Sequence, residues 1–506
     1  RPTDFFLTGQ NTPQRATAMA QVSGKAFDAQ ILRGVLRYAK PYWKTFALAG
    51  ALTVVLGLLS TARPLLIRDA VDTAVAADSA GDVHRILLIL FGLLLVEGLL
   101  QWSFYRMTNR LGQWVIRDLR VQLFDRLLRF KMSYFDRTPV GTLVTRTVSD
   151  AETIADIFAE GLLVIFGDFF KIAVLLLALF LTFDPTLVLV SLSVIPILFV
   201  ATRWFQKSIQ SSFTDVRNQV AALNAFVQER ITGMALVHLF GREKAEAARF
   251  EAINAKHRDA NIRSIWSFSL FLPIIELLSA VSIGLAVWYG GYRAAAGDGV
   301  TLGDLTAMIL FINMLYRPLR QLADRFNTLQ MGMVAAERVF KVLDNKDVTM
   351  NDGQYEPSSI QGAIEFNKVQ FAYDPPIWVL KDVSFKVDAG KTIALVGHTG
   401  SGKTSIISIL NRLYPYQGGQ ILLDGQPLES YSLNSLRGSI GVVLQDVFLF
   451  SGSIVDNITL RNPSIGMDKV ITAAKMIGMH DFIMQLPGGY HYQVMERGAT
   501  LSLGQR

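Results

Sequence analysis

The chain has 506 residues, 51% hydrophobic and 18% charged, with a mean hydropathy of +0.33. It is too apolar for an ordinary soluble enzyme and too long for one domain, so a membrane part and a soluble part are expected. The net charge of +7 does not imply nucleic acid, since no stretch gathers basic and aromatic residues together; the absence of cysteine excludes disulfides and thiolate metal sites, and six scattered histidines offer no metal spacing.

Residues 1–30 form a polar N-terminal segment that starts on Arg1 and shows no signal-peptide core. In residues 31–42, Ile31, Leu32, Val35, Leu36 and Tyr38 oppose Arg33, Arg37 and Lys40, the pattern of an amphipathic helix lying on a membrane surface. Residues 45–62 carry no charge and, with the run on to 67, are long enough to cross about 30 Å of hydrocarbon. Further spans are expected over 86–105, with one acid at Glu97, and over 161–183, interrupted by Asp168 and Lys171, which their spacing would let face each other on a helix. A charge-free run over 186–202 follows a turn at Asp184-Pro185, and 264–292 is broken only by Glu276. The uncharged run 306–316 is short and meets Arg317-Pro318, but its helical pattern continues towards Lys341, giving six expected spans in a membrane domain of residues 31–343.

Segments 106–160 and 203–263 are long, helix-patterned and rich in Lys and Arg, among them Arg117, Arg120, Arg129, Arg146, Lys207, Arg230, Arg242 and Arg258. The positive-inside rule puts them in the cytoplasm with both chain ends, as helices that run past the bilayer and return. Glu276, Glu97, Asp168 and Lys171 are the substrate-path candidates, because ionisable groups at membrane depth face protein or a water-filled cavity. The structural alternatives are an Asp168/Lys171 pair near a membrane boundary and Glu97 as a bond between helices. Trp102, Trp204, Trp266 and Trp288, near span ends, suit interfacial anchoring.

Residues 344–362, with Asp344, Asn345, Asp347, Asn351, Asp352 and Gly353, read as a linker, and 363–506 as a soluble domain. Short strands are expected around Ile364, Phe366, Val369, Phe371 and Tyr373, then around Val383, Phe385 and Val387. Gly397-His398-Thr399-Gly400-Ser401-Gly402-Lys403-Thr404 is a phosphate-binding loop: its amides cradle phosphates, Lys403 reaches the β- and γ-phosphates, and the Thr404 hydroxyl holds Mg²⁺. Residues 392–396 ahead of it suit a buried parallel strand, and helical spacing from Ser405 to Leu413 lets the loop open a helix whose N-terminus favours anions.

Several further stretches together resemble the ATP-binding cassette (ABC) transporters, specifically multidrug-type exporter half-transporters in which a six-span membrane domain is fused to one nucleotide-binding domain. Phe371-Ala372-Tyr373 resembles the family's aromatic loop, Val443-Leu444-Gln445-Asp446 its Gln loop, and Glu496-Arg497-Gly498 the stretch by which exporters sense their membrane domain. Leu501-Ser502-Leu503-Gly504-Gln505 resembles the signature. Ser133-Tyr134-Phe135-Asp136 with Thr138-Pro139-Val140-Gly141, Arg146 and Asp150, and later Glu229, Gly233 and Phe240-Gly241-Arg242-Glu243, resemble the coupling-helix regions.

The resemblance covers nearly the whole chain from Ile31. It implies a polytopic α-helical membrane domain followed by an α/β P-loop domain, with ATP and Mg²⁺ as cofactors. Tyr373 would stack on adenine, residues 397–404 and Ser405 would hold phosphates, and Thr404 and Gln445 would contact Mg²⁺, Gln445 also meeting the attacking water. Ser502, Gly504 and Gln505 would face the ATP of a partner subunit, Ser502 and the Gly504 backbone offering donors at a helix N-terminus.

Leu503 replaces the usual Gly of the signature, which favours a heterodimer with one altered ATP site over the alternative of a homodimer. The sequence reaches Arg506 before the Asp-Glu strand end and switch His of the family, so no catalytic base is named and the domain is expected to be incomplete at its C-terminus. The implied function is ATP-driven export of amphipathic small molecules or lipids by alternating access; the alternative is a nucleotide-binding, non-hydrolysing regulatory subunit or channel. Implied partners are a second half-transporter, the lipid bilayer and the amphipathic substrate, with no nucleic acid, in a bacterial inner membrane with the nucleotide domain in the cytoplasm.

Overall fold

The computed structural model describes residues 29–76, 80–349, 351, 353–445, 447–495, 498, 500–502 and 504–506. Most of the N-terminal segment, with Asp352, Asp446, Glu496, Arg497 and Leu503, lies outside the described residues. The chain divides into two compact units, one ending at Thr349 and one starting at Met350.

The first unit is helical. A short helix α1 (Ala29–Ala39) leads through a 3₁₀ turn into α2 (Trp43–Val75), followed by the long α3 (Ala80–Leu128). The apolar stripe of α1 is covered by protein: Val35 and Ala39 are buried with Leu111 and Val115 of α3 and with Ala336 and Val339. A helix resting only on a membrane surface would leave that stripe to lipid, so the surface-helix expectation gives way to a helix docked on the bundle.

Short helices α4 (Met132–Arg137), α5 (Val140–Thr145) and α6 (Ala151–Asp156) alternate with two π-helical segments, Arg146–Asp150 and Ile157–Gly161, before α7 (Leu162–Thr182). The turn to α8 (Pro185–Leu192) is built by Asp184, whose Oδ1 accepts from the amides of Thr186 at 2.8 Å and Leu187 at 3.1 Å, while Pro185 takes the first helical position, where no amide is needed.

Helix α9 (Ile195–Thr232) goes out to the six-residue α10 (Met234–Leu239), and α11 (Glu243–Ala295) returns alongside it. Phe205 and Phe271 stack at 3.8 Å between α9 and α11, and Arg230 meets Glu246 at 2.5 Å near their far end. Thr301 and Asp304 form a reciprocal capping box that opens α12 (Leu302–Leu343).

Five helical stretches, 29–75, 81–128, 140–182, 185–232 and 243–295, are long and apolar enough to cross a membrane. The sixth expected span is present as the continuous α12, but it does not reach that apolarity. Its uncharged run gives way to Arg317, Arg320 and Arg325, and Pro318 stands among them. Trp102, Trp204, Trp266 and Trp288 are all exposed.

In the second unit, strands β1 (Ile364–Phe371), β2 (Leu380–Val387), β3 (Gly418–Leu423) and β4 (Gln426–Pro427) form an antiparallel sheet in the order β2-β1-β3-β4. The inward residues Phe366, Val369, Ile421 and Leu423 pack on α13 (Lys403–Leu410), through Ile409, and on α14 (Leu433–Ser439), through Leu436. Farther on, α15 (Ile454–Thr459), α16 (Met467–Met476) and α17 (His480–Gln485) close a second core beside the ribbon of β5 (Gly452–Ser453) and β6 (Gln493–Val494).

The strand expected over 392–396 is absent, and Val396 is 89% exposed. A parallel strand needs a neighbour to take its backbone bonds, and among the described residues no strand pairs with this run.

Candidate nucleotide site

The site is local in sequence. The phosphate loop delivers the chain into α13 through two glycines with positive φ, Gly400 at +86° and Gly402 at +91°. Gly402 is doubly constrained, because a Cβ there would stand 2.6 Å from Leu380 Cδ2. Helix α13 therefore starts with Lys403 and Thr404 in its first turn, next to amides that have no partner within the helix.

Lys403 Nζ donates to the carbonyls of Gly397 and His398, each at 2.8 Å. Ser401 is turned back on the loop, its amide donating to the His398 carbonyl at 3.2 Å. The arrangement gathers an ammonium, a helix start and a glycine-lined cradle around residues 397–405, a donor set that fits a polyphosphate.

Tyr373 is held beside the loop. Its hydroxyl lies 3.1 Å from Ser405 Oγ, and its ring packs edge-on against Tyr414 at 4.9 Å and Phe371 at 4.7 Å. Gln417 fixes the backbone next to it: its Oε1 accepts from the Ala372 amide at 2.9 Å, and its Nε2 donates to the Ala372 carbonyl at 3.0 Å. Neither Gln417 nor Tyr414 carries a sequence signal for this role, because each acts through a segment some 40 positions away.

Gln445 is exposed, and Ser502, Gly504 and Gln505 form a closed turn. The Ser502 amide donates to Gln505 Oε1 at 2.9 Å, and the amides of Gln505 and Arg506 donate to the Ser502 carbonyl at 3.0 and 3.2 Å. Among the described residues, no hydrogen bond joins Gln445 or this turn to the phosphate loop. The structure thus joins Tyr373 to residues 397–405 through Ser405.

The membrane candidates also divide. Glu97, Asp168 and Lys171 line one cavity of about 140 Å³ between α2, α3 and α7, with Ser60, Gln101 and Tyr105. Arg63 Nη1 stands 3.8 Å from Glu97 Oε2. The expected Asp168–Lys171 pairing is not made: the two share a wall, but no ion pair joins them, and Asp168 Oδ2 is buried without a hydrogen-bond partner among the described residues.

Glu276 is elsewhere, bound by both terminal nitrogens of Arg320 on α12. The pair bridges α11 and α12. The close approach of α2 and α7 rests on Gly57 and Gly167: a Cβ on Gly167 would meet Thr53 Cγ2 at 2.4 Å. Small residues in apolar runs are the only sequence signal for that contact.

Residues 46–319 match the family model of the ABC transporter transmembrane region, and residues 380–506 match that of the ABC transporter. The chain belongs to the ABC transporter family. This ABC transporter is 33% identical over 489 residues to the uncharacterized ABC transporter ATP-binding protein YknV of Bacillus subtilis, covering 96% of this chain and 81% of the relative. It is 30% identical to the ATP-dependent lipid A-core flippase of Syntrophus aciditrophicus, covering 94% and 79%. The fatty acid ABC transporter ATP-binding/permease protein of Mycobacterium bovis is 32% identical, over 84% of this chain and 67% of its own length.

The ABC transporter is an integral inner-membrane protein that binds and hydrolyses ATP to drive export. The non-hydrolysing regulator or channel is not favoured. Half-transporters of the family dimerise and act in a membrane.

Proposed function

We propose that this ABC transporter exports amphipathic small molecules or lipids by alternating access, powered by Mg²⁺-ATP held at residues 397–405. The observation that carries the reading is Lys403, placed at the start of α13 with its ammonium across the glycine loop. In this proposal Lys403 and the loop amides bind the phosphates, Thr404 and Gln445 hold the metal, and Tyr373 packs on the adenine. Bound Mg²⁺ supplies charge neutralisation on the phosphates. Ser502, Gly504 and Gln505 contact the nucleotide of the partner subunit, so ATP has donors on both sides only when two nucleotide domains close together.

The proposed divisions are a membrane domain over 31–343, a linker over 344–362 and a nucleotide domain over 363–506. The proposed partner is a second, non-identical half-transporter, on the ground of Leu503 in the signature. Amphipathic cargo is proposed because two relatives are named for lipid A-core and fatty acid.

The test is ATP-dependent uptake of amphipathic dyes and labelled lipids into inside-out vesicles. Accumulation that requires ATP and disappears in Lys403→Ala supports the proposal. Nucleotide binding without movement of any cargo favours the regulatory reading. Recovery of a second half-transporter in equal amount supports the heterodimer, and full turnover by this chain alone overturns it.

A further inference from the structure

The cavity between α2, α3 and α7 carries more than a position in a substrate path. Thr53 and Ser60, on its α2 wall, donate their hydroxyls to carbonyls of their own helix, at 2.9 Å each, and so need nothing further. The ionisable groups are different. Glu97 has Arg63 at 3.8 Å, whereas Asp168 Oδ2 is buried without a donor, and Lys171 makes no hydrogen bond or ion pair among the described residues.

A carboxylate and an ammonium one helical turn apart would ordinarily close on each other. Here they stay open towards the same space. Charges left unpaired at membrane depth are costly, and a ligand that answers them gains what the protein has forgone.

The ligand has to answer both signs. A lone cation would face Asp168 but stand beside Lys171 and Arg63, and a lone anion would face Lys171 but leave the buried Asp168 oxygen opposed. Volume adds a second constraint. About 140 Å³ is well below the roughly 300–1,000 Å³ of pockets that enclose drug-sized molecules, so a small head enters and the rest of the ligand stays outside. Tyr105, which lines the cavity and is exposed, offers apolar surface at its mouth for such a tail.

Resting on the export reading above, we infer that this cavity receives the head of a zwitterionic amphiphile. Its ammonium is directed to Asp168, its phosphate or carboxylate to Lys171, and its chain leaves the cavity past Tyr105.

The test measures binding to the whole chain in a non-ionic maltoside, using three radiolabelled amphiphiles with the same dodecyl tail: dodecylphosphoethanolamine, dodecyl phosphate and dodecylamine. Tail-less phosphoethanolamine is a fourth probe. Phosphoethanolamine with its tail is expected to bind at least about tenfold more tightly than the other tailed probes, since charge-assisted hydrogen bonds are made at both ends. Weak binding of the tail-less compound identifies a membrane amphiphile as the source, and equal binding identifies a soluble zwitterion.

Asp168→Asn is expected to move the preference to dodecyl phosphate, and Lys171→Gln to dodecylamine. Equal binding of the three tailed probes, or a ranking that neither substitution changes, overturns the inference. Binding of a fluorescent ATP analogue reports whether each variant is folded. If both variants fail it, the ranking in the unaltered protein decides. Loss of ATP-driven transport with the ranking intact counts against the export reading alone.

Discussion

Two lysines show how differently this chain builds its two chemical centres. Lys403 is fixed by its own loop, its ammonium shared between two carbonyls five and six residues back. Lys171 stands in a cavity whose walls come from three helices, and among the described residues it has no direct partner. A centre made from consecutive residues is stable before its ligand arrives. A centre assembled from distant segments keeps unpaired groups, and its selectivity lies in those groups.

The sharpest way to break the contrast is Lys403→Ala. Removing charge-assisted bonds of about 1.5–3 kcal/mol is expected to weaken ATP binding about 10- to 100-fold and to abolish transport, with amphiphile binding at the cavity retained. Nucleotide titration and vesicle uptake, run side by side, check it. The complementary change is Gly167→Ala, whose methyl group would collide with Thr53 Cγ2. Overpacking of this kind costs about 1–3 kcal/mol. A lower thermal midpoint and loss of amphiphile binding, with ATP affinity unchanged, are the expected readings.

Gln417→Ala sharpens the local side. It removes two bonds to Ala372, each contributing about 0.5–1.5 kcal/mol, and releases the backbone before Tyr373. A several-fold loss of ATP affinity is expected, smaller than that of Lys403→Ala; an unchanged affinity would separate Tyr373 from the nucleotide.

The smallest effect concerns pH. Burial and the Glu429 carboxylate push the Tyr416 phenol from 10.0 up to about 12, and the Ile421 amide donates to its oxygen at 3.3 Å. A folded pKa above the unfolded one gives stability that is complete below pH 10 and is lost as pH rises towards 12. Denaturant midpoints measured across that interval should fall in the native chain and fall less in Tyr416→Phe.

Legibility followed the same divide. Residues 397–404 are contiguous, so sequence alone could delimit a loop and a helix after it, read from Ser405 and found to start at Lys403. The long apolar runs led directly to α2, α3, α7 and α11, because membrane helices satisfy their own backbone and need no distant partner. The run 392–396 failed that logic: a strand exists only with a neighbour, and its neighbour is not written in its own residues.

Ionisable residues in apolar runs could be named as candidates but not grouped. Nothing local separates Glu276, tied to Arg320, from Glu97, which shares a cavity with Asp168 and Lys171. The spacing of Asp168 and Lys171 suggested a pair, whereas α2 and α7, meeting at Gly57 and Gly167, leave a cavity beside them that α3 also lines.

The two carbonyls that hold Lys403 make nucleotide entry an exchange. An incoming anion must offer the ammonium more than Gly397 and His398 already do, so a small monovalent ion gains little there, whereas a chain of phosphates meets the ammonium and the helix start together. The loop is a threshold as well as a cradle, and it favours a ligand that brings several charges at once.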